Sequence, residues 1–467
     1  MREVAQKLEQ RQIGPGGRFD SVRHGLGNGD CSAGDGCSER RLELPEARLT
    51  LDHAAQVVLV EVEEKGQRRG QRTLGAMESQ TLTCRIGAGL STSESTSNAA
   101  AGAAREARSA GLGHGEVDLA FVFLASAHIA EAEAAAEAVR EELAPRHLLG
   151  CVAEGVIGGA REIEEGPAVA VWAGTLPGAE IECFHSVAVQ TDAGIAVAGF
   201  PELDDPGLVA LLVDPITFPA GPFLTRLNEE HERVPLVGGM AVAGQRAGVQ
   251  ALIVDDTVHA HGAVGVVVSS RPVLTVVSQG CRPIGHESVI TRCEGNVIYE
   301  LAGRPAFERL RDEVAALSPE EQAVAARGLL AGLVIDENRP EYDTGDFLMR
   351  GLLGADEATG ALALGDIARV GQTLRFFVRE ATSADADLRQ ALGSALRGGR
   401  PAGALLFTCN GRGTNMFPEP DHDARVVAQA LGNQALAGFF CGGEIGPVGG
   451  KAFLHGFTAT LALFLEP

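Results

Sequence analysis

The sequence predicts an α/β fold of mixed α+β character: repeated βαββ units forming mixed sheets with helices packed on one face, arranged as two domains. Three observations carry this. One plan recurs three times along the chain. Short apolar, β-branched runs bounded by glycine and proline alternate with Ala- and Glu-rich stretches of about ten or more residues. Aromatic residues, at 4%, are too few for a core built mainly of anything but Ala, Val and Leu.

Residues 1–76 mix Gly, Arg, Glu and Ser with little periodicity and read as a disordered extension or an upstream stretch included by a mistaken start; their removal is expected to be harmless. Met77 opens MESQTLTCRIGAGLS, which begins like a first strand. In the first repeat DLAFVFLAS (118–126) reads as a buried strand, EAEAAAEAVREELA (131–144) as a helix, and HLLGCVAEG (147–155) and PAVAVWAG (167–174) as further strands. The second repeat has GLVALLVD (207–214), FLTRLNEEHE, VPLVGGMAVAG (234–244) and HGAVGVVVS (261–269). The third has GALLFTCNGRG (403–413), DHDARVVAQAL, ALAGFFCGGEIG (435–446) and HGFTATLALF (455–464). The step from the first strand to a glycine in the second is similar each time: 118 to 150, 207 to 238, 403 to 438. Strand, helix and strand in sequence predict a right-handed parallel crossover. The Gly-rich link that follows predicts an antiparallel hairpin at the sheet edge. Glycines 438, 442, 443, 446, 449 and 450 are expected at that turn, where positive φ is needed.

A chain of 467 residues, 45% hydrophobic and 22% charged, has the composition of a soluble globular protein, with domains expected over 77–275 and 276–467. Charges balance over residues 1–76, so the net −23 lies on the remainder, an acidic surface that repels nucleic acid and anionic lipid. Nine cysteines without a CxxC pair read as reduced thiols. There is no signal-peptide core and no apolar run of the ~18 to 20 residues a spanning helix needs, which points to a cytoplasmic protein. Gly450-Lys451 does not belong to a phosphate loop, because Ile445 stands where that loop needs glycine and Ala452 where it needs a hydroxyl. His259 and His261, and the group Cys281, His286 and Cys293, lack zinc-site spacing; IGAGLS (86–91) lacks the third glycine of a dinucleotide fingerprint; no GxSxG occurs. No metal or nucleotide cofactor is expected.

Several separate motifs, GCVAEGVIGGAREIEEGPAVAVWAGTLPG (150–178), CRPIGHESVITRCEGNVIYELAGRPAFERL (281–310), GDFLMRGLLGADEATGALALGDIARVGQTLRFFVRE (345–380), LLFTCNGRG and IGPVGGKAFLHGFTATLALF, resemble the FIST family. The resemblance covers about 77–467, with a FIST N-terminal domain over 77–275 and a FIST C-terminal domain over 276–467. It implies a sensory protein in signal transduction that binds a small ligand, an amino acid or a related metabolite. Some bacterial relatives bind haem and report nitric oxide, so haem with one of the twelve histidines as axial ligand is the alternative. No output segment follows Pro467, so the resemblance implies a signalling partner protein acting in trans.

The residues singled out for ligand binding are Cys409, Asn410, Arg412, Gly413, Gly443, Glu444, Lys451 and His455. TCNGRGTNMF (408–417) follows a strand at its C-terminal end, where α/β proteins place ligands. Arg412 between glycines suits a carboxylate clamp, or else pairs with Asp421 or Asp423 to pin the loop. Cys409 is a reactive thiol if Arg412 lowers its pKa, and otherwise a small apolar strand end. An enzyme using Cys409 as nucleophile, with His455 or His422 as base, is a further alternative, although no complete set of nucleophile, base and orienting group can be read. Glu444 is either a partner for a ligand ammonium or a solvated turn carboxylate, and Lys451 either joins it or is simply exposed. His455 and His261 occupy the same place in their repeats, which favours a ring bound to a turn carbonyl.

Overall fold

The computed structural model describes residues 57–60 and 84–466, except 114, 193 and 244–247. The three repeats are present, and each places its first strand in the middle. Leu119–Ala125 pairs in parallel with His147–Ala153 and antiparallel with Val169–Thr175. Leu208–Val213 does the same with Leu236–Ala241 and Ala263–Ser269, and Pro401–Cys409 with Leu436–Val448 and Ala459–Leu465. The parallel crossover is as expected. The expected hairpin between second and third strands is not formed, because the third strand crosses back to the free edge of the first.

The recurrent glycine has a steric cause. A Cβ on Gly150, Gly238 or Gly438 would stand 2.2, 1.9 or 1.7 Å from the carbonyl oxygen of Val122, Leu211 or Leu406, its partner in the neighbouring strand. The six glycines near the C-terminus therefore do different work from that expected. Only Gly449 and Gly450 take positive φ at a turn, joining Leu436–Val448 to Lys451–His455. Gly438, Gly442, Gly443 and Gly446 lie inside the strand itself.

Repeat one lies in a six-stranded sheet, while repeats two and three join edge to edge through Gly238–Ala241 and Cys441–Ile445 in a 13-stranded central sheet. The two sheets face each other. Phe121, Phe123 and Trp172 of one meet Phe407, Phe439 and Phe464 of the other, with Phe123 and Phe439 rings 5.4 Å apart and Trp172 and Phe464 4.7 Å apart. Helices cover the outer faces: Thr96–Ala107 and Ala132–Leu143 on the first sheet, Ala220–Glu230, Ala381–Ala395 and His422–Leu431 on the central one. Each sheet thus carries helices on one face, as expected, and the other sheet on the opposite face.

Hairpins tie the repeats together. Val156–Gly158 of repeat one pairs with Ala437–Phe439 of repeat three, and Leu252–Val254 of repeat two pairs with Leu149–Cys151 of repeat one. Between Val273–Ser278 and the helix Ala381–Ala395 the chain makes a separate seven-stranded sheet, from Cys281–Glu294 to Thr373–Arg379, with its own core and the helices Ala306–Ala315 and Pro319–Gly328. The boundary expected near 276 is the entry to this insertion; the chain after it returns to the central sheet.

Of the expected N-terminal extension, Val57–Val60 forms a strand in parallel register with Ile195–Ala198, so four residues expected to be dispensable supply a sheet edge. Residues 1–56 and 61–76 lie outside the described residues.

Gly438→Ala should destabilise the protein by roughly 2 to 3 kcal/mol or more, because backbone oxygen is the obstacle and cannot rotate away. Gly393→Ala, in an exposed turn of Ala381–Ala395 with nothing near the added methyl, should instead stabilise by about 0.5 to 1 kcal/mol. Denaturant unfolding of the two variants beside the wild type checks both signs.

Candidate functional site

The loop after Pro401–Cys409 is fixed by a buried ion pair. Arg412 turns back and donates through Nε and Nη2 to Asp423 at 2.6 and 2.8 Å, with both side chains essentially inaccessible. Asp423 opens the helix His422–Leu431 and also accepts from Thr408 Oγ1 at 2.8 Å. Arg412 holds its carboxyl well below the usual carboxylate range despite burial. His422 sets one ring nitrogen 2.9 Å from Asp423 and the other 2.9 Å from Asp385, and stacks on Phe417. Glu162, from the hairpin of repeat one, accepts from the Ala424 N–H at 2.8 Å; burial and then the Asp423 charge raise its pKa to about 8.

Arg412 is therefore not a free clamp. Its bidentate edge is spent on Asp423, and only Nη1, buried without a partner, points elsewhere, toward Gly280 at the entry to the insertion. The expected ligand contact gives way to the loop-pinning pair, because a guanidinium this deeply buried needs a counter-charge at hand.

Cys409 ends its strand beside Glu444. Burial, followed by the Glu444 charge, pushes its thiol up to about 12, opposite to the activation that Arg412 was expected to provide. Glu444 is not in a turn: it sits in the strand Leu436–Val448, fully buried, and one oxygen accepts from the backbone and hydroxyl of Thr458 at 3.0 and 2.9 Å. Its other oxygen has no partner. Burial raises its pKa to about 8, so near neutrality it is largely a neutral acid.

Asn410 donates to Glu154 at 2.6 Å and leaves its buried carbonyl oxygen unpaired. Gly413 has φ +53, and a side chain there would strike Glu164, whose carboxylate holds the backbone and hydroxyl of Thr414. His455 is buried opposite Glu444 in the hairpin, with Nε2 3.0 Å from the Gly446 carbonyl oxygen; burial lowers its pKa to about 4. Gly443 lies against Leu454 and Met240, and Lys451 is exposed at the far hairpin end, so neither joins the corner around Cys409.

The residue that sequence reasoning missed is Arg379, the last of the inserted sheet. Its guanidinium lies 4.0 Å over the Phe457 ring, with glycines on both sides: a Cβ on Gly411 would stand 3.3 Å from Nη1 and one on Gly328 3.1 Å from Nε. Among the described residues no carboxylate pairs with it, and Nε is buried without an acceptor. Phe457 holds φ at +65, a costly conformation for an aromatic residue. The signal lay in LRFFVRE, a strand ending in arginine just before a helix. A hollow of about 240 Å³ lined by Pro305, Phe307, Glu308 and Arg311 lies elsewhere, on the inserted sheet.

Two outcomes follow. Arg412→Ala or Asp423→Asn strands a buried charge or its partner and should cost about 3 to 5 kcal/mol of stability in urea unfolding. Glu444 has a folded pKa above its unfolded value, so the folded state binds the extra proton and its contribution to stability falls as pH rises from about 4.5 to about 8. Glu444→Gln removes that term, and its stability relative to wild type should rise by up to about 1.4 kcal/mol per pH unit over that window.

The matched families extend over both halves of this architecture. Residues 118–304 match the FIST N domain and residues 306–447 the FIST C domain. An uncharacterized protein of Mycobacterium tuberculosis (strain ATCC 25618 / H37Rv) is 45% identical over 343 residues, covering 73% of this chain and 89% of its own. A second, from Mycobacterium bovis, is 43% identical over 343 residues, covering 73% and 88%. Among the described residues no helix is long and apolar enough to cross a membrane. With both domain matches in order along the repeats and the insertion, the chain belongs to the FIST family of sensory domains.

Proposed function

We propose that this protein senses a small metabolite bearing a carboxylate, an amino acid or a related acid, bound where the inserted sheet meets the strand ends of repeat three. The observation that carries this is Arg379, a half-buried guanidinium seated on Phe457 with no anion beside it among the described residues. Burial depresses its pKa, a cost that a bound carboxylate would offset. A planar fork flanked by glycines suits bidentate recognition of a carboxylate. Neutral Glu444 and the unpaired oxygen of Asn410 supply a donor and an acceptor in the same corner, the second suited to an ammonium.

The site joins two bodies that the chain connects at Gly280 and at Arg379–Ala381, so its occupant would bias their mutual arrangement. Such a shift can be read by a partner protein acting in trans. The acidic composition gives no footing for nucleic acid or an anionic membrane, and reduced cysteines fit a cytoplasmic setting.

Calorimetric titration of purified protein with free amino acids and small acids, beside their carboxamides, tests the reading. Binding of an acid but not its amide is expected. Arg379→Ala should weaken it about ten- to a hundred-fold, the equivalent of the ~1.5 to 3 kcal/mol of a charged hydrogen bond, without lowering the melting temperature of the unliganded protein. Equal binding of acid and amide, or full binding by Arg379→Ala, would contradict it.

A further inference from the structure

On the far side of the sandwich, three chain segments remote in sequence bring a histidine, a thiol and a carboxylate together. His147 begins the strand His147–Ala153 of the first sheet, Cys183 lies in Glu180–Thr191 of the central sheet, and Asp255 occupies the turn between Leu252–Val254 and Thr257–His259. One ligand atom from each lies within 4.8 Å of the other two. Cys183 faces the gap between the sheets, packed against the inter-sheet core beside Ile181.

The group is built rather than incidental. Asp255 adopts φ +46, and its turn is pinned by its own N–H to the Leu148 carbonyl at 2.7 Å and by Arg140 donating to its carbonyl. Its Oδ1 accepts from the Leu148 N–H at 3.1 Å, which leaves Oδ2 free of that contact. His147 Nδ1 is buried without a hydrogen-bond partner and lies 3.5 Å from Asp255 Oδ1. Arg140, which donates to the Asp255 carbonyl, is also engaged by Asp256 at 3.4 Å. The imidazole nitrogen, the thiol and the carboxylate thus lie close together without a hydrogen bond between them, the His147–Asp255 contact becoming an ion pair only when the ring is protonated.

We infer that His147, Cys183 and Asp255 form a binding site for a zinc-class divalent transition-metal ion. Nitrogen, sulfur and oxygen donors are the set that zinc accepts, and bonds of about 2.0 to 2.3 Å place tetrahedral ligand atoms roughly 3.5 Å apart, a closure of about 1 Å reached by side-chain rotation. Three protein ligands leave a fourth position for water or an exogenous donor. Binding expels the Cys183 proton as the sulfur becomes a thiolate, so one proton is released per ion bound. The ion would clamp the hairpin of repeat two to the sheet of repeat one, where Leu252–Val254 already pairs with Leu149–Cys151.

Cobalt(II) titration of the metal-stripped full-length protein tests the assignment. One equivalent should bind per chain with a thiolate-to-cobalt charge-transfer absorption, and zinc should displace it. Cys183→Ser should abolish that band, Cys293→Ser should leave it, and His147→Gln and Asp255→Asn, at partly exposed positions whose loss leaves the core intact, should each weaken binding at least tenfold. No charge-transfer band in the wild type, a band that survives Cys183→Ser, or unchanged affinity in both His147→Gln and Asp255→Asn would overturn it.

Discussion

The ion pair between Arg412 and Asp423 fixes the corner of the molecule where the candidate ligand site lies. Its two hydrogen bonds tie the loop after Cys409 to the start of the helix His422–Leu431. Thr408, His422 and Asp385 extend it to the strand end and to the helix that follows the insertion. Burying a charge pair contributes little net stability against an apolar alternative. Its value here is positional, because removing either partner leaves the other uncompensated and the loop without a fixed course.

That course decides what is left for a ligand. With Arg412 consumed, the cation left in this corner without an anion among the described residues is Arg379, contributed by the inserted sheet, while Glu444, Asn410 and Cys409 come from the sandwich. A site assembled from two bodies suits a sensor, since its occupancy changes the free energy of their contact in a way that a site within one rigid core would not. If the ligand is a carboxylate as proposed, Glu444 would add a sensitivity to proton concentration near neutrality, because its neutral form would donate where its anion would repel.

Local pattern made the repeats legible. Hydrophobic runs, Ala- and Glu-rich helices and the glycines at 150, 238 and 438 all depend on contacts within one unit, so they show in the sequence of that unit. Pairing of the third strand with the first was not legible, because a Gly-rich link allows either edge. The insertion was equally hidden, since it separates a strand of the central sheet from a helix that packs on that sheet. At the site, the Arg412–Asp423 pair was readable as one of two alternatives, and the burial of Glu444 was not, because glycines in a long buried strand look like a turn. Arg379 and the His147, Cys183 and Asp255 group escaped for a common reason. Their character comes from what surrounds them across distant segments, a missing counter-ion in one case and converging donors in the other.

The most direct measurement is native mass spectrometry of the protein as it leaves the cell, with any released small molecule identified by its fragments. A single small carboxylic acid held by the wild type and absent from Arg379→Ala is the expected result. An adduct retained by Arg379→Ala, or one that carries no acid group, would contradict it.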